Sequence, residues 1–328
     1  MRCQGPLLNY ISLCFACLEQ SLNLACFGIH IDSAECRVAA QAQVAHHHHA
    51  LTPVILIYVI SGMLALGLSQ TVKQIIEPLK NVRITISAIV ASYIILPLLA
   101  TSIARLFGLD PSLRYGLVLL AMAAGAEVGP IFTAKSNANV SLSGGILAMS
   151  IGITIIYIPF MLGVLIPDVH FEVGNLLLKL ILTIVAPLLL GLFIRSRFEK
   201  MAHTAEKYLH MISRLFVALL LLTLIGLYYK QIIGLFGIYA ILAGVIYIVA
   251  AFGIGHLLGW PERSTMLAMG FMHGARNASV AVMVANSVFS DQPNVMLMIA
   301  TMVIIILAML IPASSFLKIE PAVVAKLD

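Results

Sequence analysis

The sequence runs Ala124-Gly125-Ala126-Glu127-Val128-Gly129-Pro130 in the middle of one apolar stretch and His273-Gly274-Ala275-Arg276-Asn277 in the middle of another. Each stretch is long enough to cross a bilayer, and Gly-Ala followed by a charged residue interrupts its centre. Charges at membrane depth are costly and persist mainly where they face a cavity, a partner or a transported ion. Hydrophobic segments interrupted by glycine or proline in two halves of a chain indicate the binding site of a transporter. We therefore expect a carrier protein.

The composition excludes a soluble globular domain. Hydrophobic residues make up 61% of the chain and charged residues 10%, whereas soluble domains carry roughly 25% charged residues. The net charge of +5 is small and its basic residues cluster in two connections, so we expect a topology signal and no nucleic-acid partner. No hydrolase elbow, phosphate-binding loop, HExxH or dinucleotide motif occurs in a suitable context, so we expect neither an enzyme nor an ATP-driven pump.

The apolar stretches predict an all-α polytopic membrane protein in which residues 51–328 form the transmembrane domain. Spanning helices need about 20 mostly apolar residues. The nine predicted spans cover roughly 52–69, 83–104, 115–138 (broken), 141–166, 174–194, 211–229, 232–258, 264–289 (broken) and 294–316. The polar segment Gln70–Lys80 is expected to form an interfacial helix.

The loop charges predict the orientation, because basic loops stay in the cytoplasm. Basic residues concentrate in connections 70–83 and 195–210, whereas the connections near 167–173 and 290–293 carry only acidic charges. Nine spans then place the N-terminus outside and the C-terminus in the cytoplasm. We expect an integral protein of the plasma membrane or an inner membrane.

Residues 1–50 differ in composition from the rest of the chain. All five cysteines lie within the first 36 residues, and His46–His49 form a run. Cys14 and Cys17 have CxxC spacing, but one short pair does not fill a tetrahedral metal site by itself. We therefore expect no structural metal and an atypical, poorly ordered N-terminal extension.

The two halves of the chain are similar around their interruptions. Asn137 follows Gly125 by 12 residues and Asn286 follows Gly274 by 12 residues, and each glycine follows a proline by 13 or 14 residues. The two broken spans run in opposite directions in the predicted topology, which indicates an inverted repeat. Close packing by small residues is the alternative explanation for the Gly-Ala elements.

Glu127 and Arg276 occupy equivalent positions in the two halves. A helix break inside a membrane leaves backbone groups without partners, and it presents half-helix N-termini to anions and freed carbonyls to cations. The two charges either contact a substrate, coupling cation or proton, or form a structural ion pair. His273 either titrates near neutral pH or is a hydrogen-bonded packing residue, and Lys135 is expected to extend towards the interface.

Further motifs accompany the two interruptions: Met63-x-x-x-Gly67-Leu68, the Ser92…Pro97 helix, Asn139-Val-Ser-Leu-Ser143, Pro187-Leu-Leu-Leu-Gly191-Leu192 and Gly274-x-x-Asn277. With these residues the chain resembles the bile acid:sodium symporter family over roughly residues 53–316. The resemblance implies a panel domain and a core domain, with two broken helices that cross beside two sodium sites. It also implies the transport of a small organic anion.

The chain departs from the family pattern at the implied sodium ligands. The Ser-Asn pair of the first crossover becomes Gly129 and Pro130, and the glutamate of the second crossover becomes Met272. The family glutamine of the second crossover becomes Arg276, and a glutamine of the third helix matches Ser92. A fixed guanidinium at a cation site would repel sodium strongly.

Ser143 is kept and Asn277 retains the crossover asparagine. Three options follow for coupling. The cation site has moved to Glu127, a proton couples through Glu127 or His273, or an internal Arg276–Glu127 pair substitutes for the ions.

The sequence therefore predicts a secondary transporter that moves a small organic anion by alternating access, coupled to Na⁺ or H⁺, with the lipid bilayer as its other partner. The predicted substrate-binding residues are Arg276, His273, Asn277, Gly125 and Gly274. The predicted ion-coupling residues are Glu127, Asn139, Ser143 and Ser92. No cofactor is expected apart from Na⁺ as coupling ion. An uncoupled facilitator or channel, and a membrane sensor or scaffold, are the alternatives.

Overall fold

A computed structural model describes residues 34–76, 80–166, 171–237 and 239–320, and every regular element in these ranges is a helix. We number the helices of this part α1 (Ala34–Ser69), α2 (Val72–Ile76), α3 (Val82–Leu106), α4 (Pro111–Met122), α5 (Gly129–Lys135), α6 (Val140–Leu165), α7 (Val173–Arg197), α8 (Glu199–Gly237), α9 (Ala240–Leu258), α10 (Arg263–Gly274), α11 (Ala278–Val288) and α12 (Pro293–Phe316). The Cys14/Cys17 pair and most of the predicted N-terminal extension lie outside the described residues.

Seven of these helices are long and apolar enough to cross a membrane: α1 from Leu51, α3, α6, α7, α8 up to Gly226, α9 and α12. The two interrupted spans are present as helix pairs, α4 with α5 and α10 with α11. The prediction of an all-α polytopic membrane protein with two broken helices is thus confirmed. The count of nine spans stays a prediction.

The connection predicted at 195–210 is not a loop. Helix α7 ends at Arg197 and α8 begins at Glu199, so the basic residues lie on helices. Lysine, arginine and glutamate favour helices, and Arg195 pairs with Glu199 one turn later at 3.5 Å. The connection thus shortens to Phe198, because the polar residues on either side extend the two helices beyond their apolar parts.

Two other predicted boundaries also shift. The apolar residues placed at the start of span 232–258 continue α8 up to Gly237, and α9 begins only at Ala240. The interfacial helix predicted for Gln70–Lys80 is present as Val72–Ile76, and residues 77–79 lie outside the described ranges.

The helices pack in two groups. Helices α1, α7 and α8 pack against one another and form what we call the three-helix group. Helices α3–α6 and α9–α12 form what we call the crossover group. This division corresponds to the panel and core that the resemblance implies.

Glycines set the closest helix contact of the three-helix group. A Cβ on Gly67 of α1 would lie 2.2 Å from the Leu188 carbonyl oxygen, and one on Gly191 of α7 would lie 2.5 Å from the Leu64 carbonyl oxygen. The two backbones therefore touch at this point, which only glycine allows. Both glycines belong to the motifs noted in the sequence.

Helix α3 contains a π-helical segment at Ala91–Ile95, just before Pro97, and α7 contains one at Ile181–Val185. Proline has no N–H to donate and clashes with the preceding helical turn, and a wider π turn relieves this conflict. The segment in α3 contains the buried Tyr93, which belongs to the site described next.

Candidate functional site

The two helix breaks, Ala123–Val128 and Ala275–Asn277, bind directly to each other. The Asn277 N–H donates to the Ala123 carbonyl at 2.9 Å, and its side-chain amide donates to the Gly125 carbonyl at 2.7 Å. Its Oδ1 accepts from the Val280 N–H at 3.0 Å and so caps α11. Asn277 therefore satisfies much of the backbone that the breaks leave unpaired.

Gly125 is the sharpest point of the first break. Its φ is +84°, and a Cβ there would lie 3.1 Å from both the Ile151 N and the Leu147 carbonyl oxygen of α6. Left-handed backbone and a close helix together require glycine. Gly274 ends α10, where a Cβ would lie 3.2 Å from Phe252.

Arg276 is buried in the second break, with 3% of its surface exposed. Its Nε donates to the Tyr247 hydroxyl at 3.2 Å. Its Nη1 and Nη2 have no hydrogen-bond partner. A buried guanidinium with two unused amino groups is costly, because its charge and donors have left water. Such a group is suited to binding an anion.

Aromatic residues surround this guanidinium. Arg276 interacts electrostatically with Tyr93, Tyr157 and His273. The Tyr93 and Tyr157 rings pack edge to face with centroids 4.9 Å apart, and the Tyr157 hydroxyl donates to the Tyr93 carbonyl at 2.6 Å. The tyrosines, including Tyr247, were not predicted from the sequence. The sequence feature that could have identified them is a tyrosine hydroxyl within an apolar helix, because a buried hydroxyl needs a hydrogen-bond partner.

A hydrogen-bonded chain joins this cluster to the first break. The Tyr93 hydroxyl donates to the Ser150 carbonyl at 2.6 Å and lies 2.9 Å from the Thr154 hydroxyl. Thr154 in turn donates to the Ala124 carbonyl at 3.3 Å. Helix α6 thus links the aromatic cluster around Arg276 to the chain on the other side of the crossover.

Arg276 lies at the C-terminal ends of two half-helices. It follows the end of α10 at Gly274 by two residues, and its neighbour Asn277 binds the Ala123 carbonyl just beyond the end of α4. Helix C-termini carry partial negative charge and stabilise cations. The Arg276 backbone therefore lies near two helix C-termini, while its guanidinium extends to Tyr247 of α9.

Glu127 faces different neighbours. Its Oε1 accepts from the Ser279 hydroxyl in the first turn of α11 at 2.8 Å. Its Oε2 would lie 3.0 Å from a Cβ on Gly62 of α1, as would the Ser213 hydroxyl of α8. The residue as a whole is half-buried. Glu127 therefore lies between the crossover group and the three-helix group.

Glu127 and Arg276 form no ion pair with each other within 4 Å, although both are among the described residues. The internal Arg–Glu pair considered for the sequence is therefore not formed. The N-terminus of α11 lies beside Glu127 through Ser279, and Arg276 directly precedes Asn277, the residue that caps the same N-terminus.

The sequence profile of the Sodium Bile acid symporter family matches residues 55–238, which is more than half of the chain. The chain belongs to this family. The resemblance inferred from the sequence motifs is confirmed, and the matched residues include the first helix break, Ala123–Val128.

Two rice proteins illustrate the relationship. The chain is 26% identical over 207 residues to "Probable sodium/metabolite cotransporter BASS3, chloroplastic" of Oryza sativa subsp. japonica, covering 62% of this chain and 48% of that relative. It is 23% identical over 245 residues to "Probable sodium/metabolite cotransporter BASS5, chloroplastic" of Oryza sativa subsp. indica, covering 70% of this chain and 60% of that relative. The chain thus matches about half to 60% of the length of these relatives, and both are named as transporters and not as enzymes.

Two of the positions that depart from the family pattern contact each other. A Cβ on Gly129 would lie 2.4 Å from the Met272 sulfur, so the thioether fills the space beside this glycine. Thioether sulfur is a soft ligand and does not suit a hard cation. This part of the crossover is packed by an apolar side chain.

The remaining predicted residues make local bonds. The His273 Nδ1 lies 2.7 Å from the Met269 carbonyl oxygen and its Nε2 lies 3.4 Å from the Ala88 carbonyl oxygen. Ser92 is buried in the π-helical segment of α3 next to Tyr93. His273 interacts electrostatically with Arg276, and Ser92 adjoins Tyr93 of the aromatic cluster around Arg276.

Asn139 and Ser143 serve the start of α6. Asn139 caps this helix by accepting the Leu142 N–H at 2.9 Å, and the Ser143 hydroxyl donates to the Val140 carbonyl at 2.9 Å. Within the described ranges, no hydrogen bond joins either residue to Glu127. Lys135 donates to a carbonyl of α12 and lies on the surface.

Proposed function

We propose that this protein is a secondary transporter that carries a small organic anion across a lipid bilayer by alternating access, coupled to a cation. The observation that carries the proposal is the buried Arg276 guanidinium with two unpartnered amino groups, placed where two broken helices cross. A carboxylate would pair with both amino groups at once and offset the cost of burying the charge. A small carboxylate is therefore the favoured substrate class.

The division into two helix groups supports alternating access. Glu127 of the crossover group faces Gly62 of the three-helix group, and Asn286 of α11 reaches Thr52 of α1 at 3.5 Å. These contacts between the two groups are made by side chains, so they could break while the helices within each group stay packed. Rocking of one group against the other would open the crossover first to one side of the membrane and then to the other.

Cation coupling is supported by the acidic residue in the crossover. The rice relatives are named as sodium/metabolite cotransporters, and Glu127 gives this chain a negative group near the boundary of the two helix groups. In our proposal Gly125, Gly274 and Asn277 shape the crossover, and His273 lines the anion site with Arg276. Ser92 supports the anion site beside Tyr93, and Asn139 and Ser143 hold the start of α6 in place. The N-terminus lies outside and the C-terminus in the cytoplasm.

The test is uptake into proteoliposomes that contain the purified full chain. A panel of radiolabelled monocarboxylates and dicarboxylates is offered with an inward gradient of sodium, of protons, or of neither. We expect at least one carboxylate to accumulate above its outside concentration under one ion gradient and not without it. Accumulation of no member of the panel under any gradient would refute the proposal.

An uncoupled facilitator is the second candidate. It is favoured by the Met272–Gly129 contact, which packs an apolar side chain where the family pattern implies cation ligands. A facilitator would let the carboxylate equilibrate and would stop at equal concentrations under every gradient. Binding of a carboxylate without any flux would instead support a membrane sensor.

A further inference from the structure

The part of the crossover around Arg276 is unfavourable for an added cation. Arg276 follows the end of α10 by two residues, and the carbonyls of Ala123, Ala124 and Gly125, just beyond the end of α4, accept hydrogen bonds from Asn277 or Thr154. Two positive charges a few ångströms apart repel strongly where water is scarce. The permanently charged Arg276 therefore excludes a bound metal cation from this part of the crossover.

The end beside Glu127 offers few ligands for a metal ion. Among the described residues, the oxygen-bearing side chains that the structure places beside it are Ser279, Ser213 and Tyr58. Hard cations such as Ca²⁺ and Mg²⁺ take about six to eight oxygens, and the adjacent Met272 and Gly129 contribute no side-chain oxygen. No group of three or more His, Cys, Asp or Glu side chains that could hold a metal occurs within the described ranges.

A proton has much smaller requirements. It needs one carboxylate oxygen and a route to water, and Glu127 is a half-buried residue at the boundary between the two helix groups. Oε1 is held by the Ser279 hydroxyl, which leaves Oε2, on the side of Gly62, as the oxygen that takes the proton. Tyr58 of α1 is the titratable side chain that faces Glu127, whereas α8 and α11 present Ser213 and Ser279 to it.

We propose that the coupling ion of this transporter is a proton bound by Glu127, and that Arg276 substitutes for a bound metal cation. The inference rests on the proposed transport function and names the ion that drives it. Glu127 takes a proton from water on one side, moves as a neutral acid with the crossover group, and releases the same proton on the other side. One proton carried with one monocarboxylate transfers no net charge, so uptake of a monocarboxylate is electroneutral.

The test uses infrared difference spectroscopy on the full chain in lipid, because this measurement needs no substrate. A step to lower pH is expected to produce the carbonyl stretching band of a protonated carboxylic acid. The band is expected to be lost in Glu127→Gln, which keeps an acceptor for Ser279. Glu199→Gln is the matched control, because Glu199 is an exposed glutamate at the start of α8, and its band should match that of the unmodified protein.

A second measurement tests whether the protein binds sodium. The apparent unfolding temperature of the purified protein is expected to be the same in equal concentrations of sodium chloride and choline chloride. The inference is overturned if no protonated-acid band forms, if the band survives Glu127→Gln, or if sodium alone raises the unfolding temperature and Glu127→Gln abolishes that rise. Should Glu127→Gln fail to fold, Glu127→Asp is expected to shift the band, and an unshifted band would overturn the inference.

Failure of this inference is distinguishable from failure of transport. If the band depends on Glu127 but no carboxylate is taken up, the result would support protonation of Glu127 and refute the transport proposal. Carboxylate uptake driven by sodium, with no such band, would leave the transport proposal standing and refute proton coupling.

Discussion

Two residues of the crossover are unusual for a membrane helix: Gly125 in its backbone conformation and Arg276 in its buried charge. Gly125 has a positive φ and lies against the backbone of α6. Arg276 keeps two donors buried without partners. The positive φ of Gly125 is required by the fold, whereas the unpaired amino groups of Arg276 have no structural role within the described fold. Substitution of Gly125 should therefore lower stability, and substitution of Arg276 should lower transport.

We expect Gly125→Ala to destabilise the protein by about 2 kcal/mol or more, because a non-glycine residue with positive φ is strained and the added methyl overpacks against α6. The measurement is the apparent unfolding temperature of the purified protein. Gly152→Ala is the matched control, because Gly152 lies on α6 with no atom within 4 Å of its Cβ position. It should leave this temperature unchanged or raise it, since alanine favours helices by about 1 kcal/mol. An equal loss in both variants would contradict the role given to Gly125.

Arg276→Met should abolish carboxylate accumulation while leaving the protein as stable as before or more stable. Replacing a buried charge by an apolar side chain of similar size is often neutral or stabilising by about 1–4 kcal/mol. Uptake is expected to fall by at least about tenfold, because a charge-assisted hydrogen bond contributes about 1.5–3 kcal/mol.

The control for this substitution is Tyr247→Phe, which removes only the hydrogen-bond acceptor of the Arg276 Nε. It should lower stability by about 1 kcal/mol and keep uptake. Unfolding of Arg276→Met with a stable Tyr247→Phe would mean that the guanidinium holds the fold together, and would argue against an anion site.

At the scale of elements, Asn277 is the residue that joins the two broken helices. It caps α11, binds the Gly125 carbonyl with its side chain and binds the Ala123 carbonyl with its N–H. Both breaks are therefore stable only in each other's presence. A half-helix end that is buried without such a partner would leave several backbone groups unsatisfied.

Asn277→Ala is expected to cost about 2–4 kcal/mol, the sum of a lost helix cap and a buried carbonyl left without its donor. Asn286→Ala is the matched control on the same helix, because the side-chain bond that it makes within the described part of the chain, to Thr52, is long at 3.5 Å. The control should cost less than about 1 kcal/mol. Thermal unfolding of the purified variants compares them, and similar losses at the two positions would show that Asn277 is not the link.

At the scale of the whole molecule, transport by alternating access requires the crossover group to move against the three-helix group. Thr52 of α1 and Asn286 of α11 lie on opposite sides of this boundary. Ser112 and Gln292, whose side chains are 3.3 Å apart, both lie within the crossover group or its connections. These two pairs allow the movement to be tested by cross-linking.

We expect a short, reducible thiol cross-linker to stop uptake in Thr52→Cys/Asn286→Cys and reduction to restore it, because the link fixes two bodies that must separate. The five native cysteines, all within residues 1–36, are first replaced by serine. The same cross-linker in Ser112→Cys/Gln292→Cys should leave uptake unchanged. Undiminished uptake with the first pair fully linked would contradict a rocking movement between the two groups.

The fold class and the two helix breaks could be predicted from the sequence because both depend on local patterns. Long apolar stretches predict helices, since lipid leaves no other partner for their backbone, and seven such helices are present in the described ranges. Glycine, proline and a charge within an apolar stretch predict a break, as found at Gly125 and Gly274. The prediction failed where polarity was taken for a loop over residues 195–210, because all of these residues except Phe198 lie on helices. Polar residues of high helix propensity extend a helix beyond its apolar part.

What only the tertiary structure decided is how the two charges are arranged. Glu127 and Arg276 occupy equivalent places along the chain, yet one faces α1 and α8 and the other faces tyrosines of α3, α6 and α9. Those neighbours are far away in sequence: Ser279 is 152 residues from Glu127, and Tyr247 is 29 residues from Arg276. A local pattern reveals that a charge is buried, but its partner depends on how the helices pack, because side chains interact across a few ångströms of space whatever their separation along the chain.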